Sequence, residues 1–181
     1  MQFPKLESKR LIYRKFSMDD YPAAFGWLSD AETMKYRMDE PKDEAGVQDY
    51  LNWAITSAEA EICKNYEFAV VLKDNNTLIG SATLMNVPDK AEIGWMVHRD
   101  YWKQGYGTEI GGTLLKFGFE SLNLHRIFAA CNAGNIGSYK VMERIGMRRE
   151  GHFIKIQPGN SILNNEWCDR YLYAMLREEW V

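Results

Sequence analysis

Between Tyr66 and Val97 three apolar runs follow one another, separated only by short turn-forming segments, and this commits the middle of the chain to a sheet built from neighbouring strands. Tyr66 to Lys73 and Thr77 to Met85 flank Asp74-Asn75-Asn76, the residue chemistry of a tight hairpin turn. After Pro88-Asp89-Lys90, the run Ala91-Glu92-Ile93-Gly94-Trp95-Met96-Val97 continues the meander. Gly94 within it hints at a bulge.

On either side of this meander the apolar period lengthens to that of helices. Leu11 to Phe16 reads as a short strand; Ser17-Met18-Asp19-Asp20 then caps a helix carrying Tyr21, Ala24, Phe25 and Leu28. A second helix covers Asp43 to Ala58, with Val47, Tyr50, Leu51, Ala54 and Ile55 on one face, and acidic loops lie between the two. Gly105-Tyr106-Gly107 precedes a helix from about Thr108 to Leu122, striped by Ile110, Leu114, Phe117 and Ser121. Arg126 to Cys131 is a strand, Ile136 to Ile145 a helix closed by Gly146, and the remainder two final strands. This order predicts a mixed α/β sheet rather than a regular βαβ repeat, in a single domain spanning residues 1–181.

Composition narrows the function classes. Cys63, Cys131 and Cys168 are far apart and odd in number, which suggests reduced thiols rather than a disulfide framework or zinc site. His98, His125 and His152 are too scattered for a metal site, although His98 is near enough to the expected cleft to be a secondary base. A net charge of -3 argues against a dedicated nucleic-acid binder. The N-terminus lacks an apolar signal core and no stretch reaches the ~18 apolar residues of a membrane span, so a cytoplasmic protein is expected. Ser17 to Glu67 holds twelve acidic residues against four basic ones, whereas Tyr101 to Lys155 holds eight basic against four acidic. That asymmetry suits an anionic cofactor on one side and a cationic substrate on the other; it equally suits two solvated helical faces.

Chemistry concentrates at Tyr101-Trp102-Lys103-Gln104-Gly105-Tyr106-Gly107-Thr108, a strand-to-helix junction whose backbone N–H groups can converge on an anion. Glycines 105 and 107 would permit close approach of a pyrophosphate, or serve a plain tight turn. The spacing is neither that of a dinucleotide fingerprint nor that of a P-loop.

The run from Glu92 to Gly107 resembles the acetyl-CoA signature of GNAT N-acetyltransferases, particularly the RimJ/RimL type that acetylates protein N-termini. Leu6 to Arg14 followed by Asp19-Asp20 resembles that group's opening, and Asn135-Ile-Gly-Ser138-Tyr-Lys-Val-Met-Glu-Arg-Ile-Gly-Met147 its late cofactor motif. Arg149-Glu150-Gly151 and Asp169 to Leu176 fit as well, so the likeness covers nearly the whole chain.

The resemblance implies the GNAT fold, a mixed, mostly antiparallel twisted sheet splayed at its centre with helices on both faces. It implies acetyl-CoA as co-substrate, its pantetheine on the backbone of Met96 and Val97 and its pyrophosphate on the amides of Gln104, Gly105, Tyr106, Gly107 and Thr108. Attack on the thioester needs an unprotonated amine, and Glu92 is the candidate general base, directly or through water; otherwise it is a surface residue pairing with Lys90. Asn135 and Ser138 either reach the cofactor or cap a helix. The tyrosine that protonates the departing thiolate in many GNAT enzymes corresponds to Met142, so Ser138 is the catalytic candidate there, Tyr139 being out of register. Lys140 and Arg144 would meet the 3′-phosphate, or simply face solvent.

The acceptor expected first is a protein N-terminal α-amine, then polyamines, amino acids or aminoglycosides. Trp27, Tyr36, Trp53 and Tyr66 lie on the expected substrate side and could line the acceptor cleft, although most such aromatics read as core residues. A non-catalytic acyl-CoA-binding or sensing domain, or an interaction module with an acidic docking face, is the alternative. Neither membrane nor nucleic acid is expected as a partner, and the chain is a monomer or a homodimer.

Overall fold

The computed structural model describes residues 3–180, apart from the side chains of Asn86 and Val87; Met1, Gln2 and Val181, which the expected domain 1–181 includes, lie outside. Its strands are β1 (Leu6–Glu7), β2 (Leu11–Arg14), β3 (Asn65–Leu72), β4 (Leu78–Val87), β5 (Lys90–Val97), β6 (Arg126–Asn132), β7 (Arg148–Pro158) and β8 (Trp167–Leu176). They form one sheet in the order β1-β2-β3-β4-β5-β6-β8-β7. Each hairpin connection yields an antiparallel pair, and only β5 and β6 run parallel. Parallel neighbours need a long crossover, which α4 (Tyr106–Lys116) supplies.

Alternation along the strands sends side chains into two cores. Leu11, Tyr13, Phe68, Val70, Leu84 and Ile93 pack with Ile110, Leu114 and Leu115 of α4 and Met142 of α5 (Ile136–Arg144). On the opposite face Phe16 and Ala69 pack beneath α1 (Tyr21–Leu28), α2 (Ala31–Met34) and α3 (Glu44–Glu59) through Trp27, Met34, Val47 and Leu51. Full burial of each such side chain stabilises by about 1.5–3 kcal/mol. Trp27 and Tyr66 therefore belong to the cores and not to an acceptor cleft.

The parallel pairing of β5 with β6 covers only Lys90↔Arg126, Ala91↔Ile127 and Glu92↔Phe128. Beyond Glu92, β5 stays with β4 as far as Val97, while β6 stays with β8 as far as Asn132. The sheet splits there, as the resemblance implied.

Three local expectations are corrected. The register between β4 and β5 is unbroken from Gly80↔Val97 to Val87↔Lys90, so Gly94 marks no bulge; the irregularity lies between Val70 and Val71, opposite Ile79 of β4. The helix after Gly105 begins at Tyr106, which puts Gly107 in its first turn, and it widens into a π-helical turn over Phe117–Ser121. A short α2, capped by Asp30 on the Thr33 amide, occupies part of what reads as an acidic loop.

Candidate active site

At the start of α4, Lys103 and Gly105 both take left-handed backbone (φ 60° and 81°), and Gly105 stands at the N-cap of the helix. The first amides of a helix have no intrahelical acceptor, and they carry the positive end of its dipole. Gly105 is required for its dihedral. At Gly107 a Cβ would meet Val141 Cγ2 at 3.1 Å, so its bareness lets α5 pack closely against α4.

The N-terminal hairpin braces this turn. Arg10 donates through Nε to Glu109 Oε2 (2.7 Å) and through Nη1 to the Gln104 carbonyl (2.9 Å), and its guanidinium stacks 4.1 Å from the centre of the Tyr106 ring. The Arg10 amide and the Ser8 hydroxyl both donate to Glu109 Oε1 at 2.7 Å. Burial pushes the Glu109 carboxyl up, but the Arg10 amide, the Ser8 hydroxyl and the guanidinium together hold it below the usual carboxylate range. The Leu6–Arg14 motif thereby supports a turn nearly a hundred residues away.

Ladder parity decides which backbone groups face the split. His98 donates to the Ile79 carbonyl (2.7 Å), so in the alternating antiparallel pattern Met96 exchanges its bonds with Ser81 of β4. The groups of Trp95 and Val97 point the other way, toward β6. Of the expected pair Met96 and Val97, only Val97 therefore offers backbone to the split, and its carbonyl already accepts from Trp102 Nε1 (2.6 Å). Trp95, which sequence reasoning missed, is the additional position; strand parity is the signal that finds it once the strand's partner is known.

A cavity of about 430 Å³ lies on the α1–α3 face of the sheet beside the split. Glu92, Gly94 and Met96 line it from β5, Ser81 and Thr83 from β4, Glu67 from β3, and Tyr50 and Trp53 from α3. Gly94 leaves its place open, for a Cβ there would meet nothing within 4 Å. Asn160 (1% exposed) donates to the carbonyls of Met34 (3.0 Å) and Asp39 (3.2 Å), and the Ser161 amide donates to Glu40 (2.8 Å). The β7–β8 connection is tied in this way to the segment that follows α2.

The charges of the cavity are balanced: Arg37, Lys42 and Arg170 face Asp39, Glu67 and Glu92, so the acidic surplus of residues 17–67 does not collect here. Arg37 pairs with Asp39 at 3.2 Å. Glu92 pairs with Arg170 of β8 at 3.8 Å rather than with Lys90. Glu67 is 3% exposed and accepts from the hydroxyls of Tyr50 and Thr83. Burial pushes its carboxyl above the usual range, against the pull of the Thr83, Tyr50 and Ser81 hydroxyls and of the more distant Arg37 charge.

Across the split, Asn135 caps α5, its Oδ1 accepting from the Ser138 amide (3.1 Å). Ser138 is half-buried beside Cys131, whose thiol burial pushes up to about 11 against the pull of the Ser138 hydroxyl. Met142 is in the core at 1% exposure, so a hydroxyl at the family's tyrosine position is not available to the split. Lys140 is exposed and bonded to Glu143 (2.8 Å).

The sequence profile of the acetyltransferase (GNAT) domain matches residues 10–148. The uncharacterised N-acetyltransferase YnaD of Bacillus subtilis is 38% identical over 177 residues, covering 97% of this chain and 98% of its own. The crystal structure of a GNAT-family acetyltransferase from Bacillus anthracis superposes with a TM-score of 0.86 at 37% identity, covering 97% of this chain and all of that one. In fold alone, RimL, a ribosomal alpha-N-protein acetyltransferase solved in complex with coenzyme A, is also similar (TM-score 0.81, 16% identity, covering 96% and 98%). The split sheet, the anion-binding helix start and these likenesses agree, and this chain is a member of the GNAT N-acetyltransferase family, whose acetyl donor is acetyl-CoA.

Proposed function

We propose that the acceptor of this acetyltransferase is an α-amine at a protein N-terminus. The observation that carries the reading is the split between β5 and β6, which joins the helix start on one side to a cavity holding Glu92 on the other. RimL, which shares the fold, is a precedent for such an acceptor, as the spermidine N-acetyltransferase of Vibrio cholerae (TM-score 0.80, 19% identity) is for a polyamine.

Acetyl-CoA supplies an activated thioester, and the chain supplies the rest. The amides of Gln104 to Thr108 fit its pyrophosphate, and the backbone of Trp95 and Val97 fits its amide arm. An α-amine, with a pKa near ~8, arrives mostly protonated at neutral pH, and Glu92 takes that proton to free the nitrogen lone pair. Ser138 donates to the departing sulfur and limits the charge that builds there. Lys140 and Arg144 lie on the same helix for the 3′-phosphate.

Two substitutions probe these roles. Ser138→Ala is expected to lower kcat about tenfold with acetyl-CoA affinity kept, as read by thiol release; undiminished turnover would remove the serine from the mechanism. Arg10→Ala, which frees Glu109 and the Gln104 carbonyl, is expected to weaken acetyl-CoA about tenfold, or ~1.4 kcal/mol, in a calorimetric titration. An unchanged Kd would mean that the helix start keeps its shape without the brace.

The acceptor itself is tested by titrating acetyl-CoA and then measuring thiol release against peptides with free N-termini, polyamines and aminoglycosides. Turnover of peptides supports the proposal. Turnover confined to small amines overturns it, and cofactor binding without any turnover favours a sensing domain.

A further inference from the structure

Three carboxylates line the cavity, and two of them are matched by guanidinium groups of the same protein, Asp39 by Arg37 and Glu92 by Arg170. Glu67 has only hydroxyl partners; among the described residues no cation lies within 4 Å of it. It is also the most enclosed of the three, on the interior strand β3. A buried carboxylate is costly unless a counter-charge compensates it. Tyr50 and Thr83 each donate a hydrogen bond to it, which fixes its two oxygens in place but adds no counter-charge against the burial that opposes its ionisation. Arg37 acts on Glu67 only from beyond ion-pair distance, being drawn outward to Asp39 with both about half exposed, and the stem of Lys42 runs along Gly46 in the first turn of α3.

The register of the sheet shows how a ligand would reach this group. Glu67 stands opposite Thr83, and Thr83 opposite Gly94, so the three share one row across β3, β4 and β5. Because Gly94 is bare, that row is open from the split down to Thr83. Two strand spacings, roughly 10 Å, separate the backbone at Gly94 from that at Glu67. Tyr50 and Trp53, with ring centres 6.0 Å apart, stand over the same end and offer aromatic faces to a cation.

We infer that Glu67 is the counter-charge for a second cationic group on the acceptor, so that the substrate is a dicationic amine whose transferred nitrogen lies at the split and whose other cation lies against Glu67. This rests on the acceptor reading proposed above and narrows it to N-termini followed by a basic side chain. Glu67 is a specificity determinant in this arrangement, whereas Glu92 remains the group that meets the reacting nitrogen.

The test uses two amidated tripeptides, Ala-Lys-Ala and Ala-norleucine-Ala, which differ in one positive charge. With the wild type, kcat/KM is expected to favour the lysine peptide by about 30-fold, through KM rather than kcat. With Glu67→Gln, whose amide can still bond Tyr50 and Thr83, the preference is expected to fall to within about threefold while the norleucine peptide keeps its rate. Loss of both rates together would assign Glu67 a structural role and overturn the inference. An equal wild-type preference would overturn it even if the variant failed to fold. If neither peptide is acetylated, spermidine against octylamine repeats the comparison for small acceptors. Preference for spermidine would keep the dicationic site and discard the N-terminal acceptor, and no turnover of any of the four would discard both.

Discussion

Glu92→Gln is expected to lower kcat by about 100-fold or more while leaving the Kd for acetyl-CoA within about twofold, because a positioned general base contributes roughly 10²–10⁴ to rate and little to ground-state binding. The side chain faces the cavity at the last paired residue before β5 and β6 part, where the reacting nitrogen must enter. Glutamine keeps the size and the capacity to bond Arg170 but cannot hold a proton. The loss should shrink at a pH above that of the free α-amine, where the substrate arrives already deprotonated. A rate loss that is the same at every pH would point to disturbance of the Arg170 pair instead.

Gly80→Ala is expected to be the most disruptive single methyl in the chain. A Cβ at Gly80 would run into the carbonyl of Met96 and crowd the Cα of Val97 at 3.0 Å. Both obstacles are backbone, so no rotamer change relieves them; either β5 moves or β4 does. Overpacking of this kind costs about 3 kcal/mol, which for a chain of this length lowers Tm by about 6–12 °C. Because the displaced strand is the one whose free edge forms the split, weaker acetyl-CoA binding should accompany the lower Tm. An unchanged Tm in thermal unfolding would mean that the irregularity beside Ile79 absorbs the strain.

Much of the architecture was legible because it depends on local chemistry. The turn residues between Leu72 and Leu78, the capping residues Ser17, Asp43 and Asn135 and the left-handed Gly146 all act over a few residues, and each element appears near its expected place. That glycines mark the start of α4 was readable for the same reason, although the helix begins at Tyr106 and not at about Thr108. Gly94 misled because a glycine in a strand has more than one meaning: its missing side chain opens a cavity, a use that depends on what stands across the sheet.

By itself the sequence determined the order of elements, the glycine-marked start of α4 and the motifs around Glu92 and Ser138, all of which are written in contiguous residues. Only the tertiary structure decided that Trp95 rather than Met96 turns its backbone to the split, since that depends on the register of β4. Only it paired Glu92 with Arg170 and Glu109 with Arg10, residues 78 and 99 positions apart in the chain. It also buried Glu67 in the wall of the cavity, although the chain presents it as one of twelve acidic residues in a charged stretch. Contacts between distant segments are set by how sheet and helices pack, and no local pattern records which charges that packing encloses.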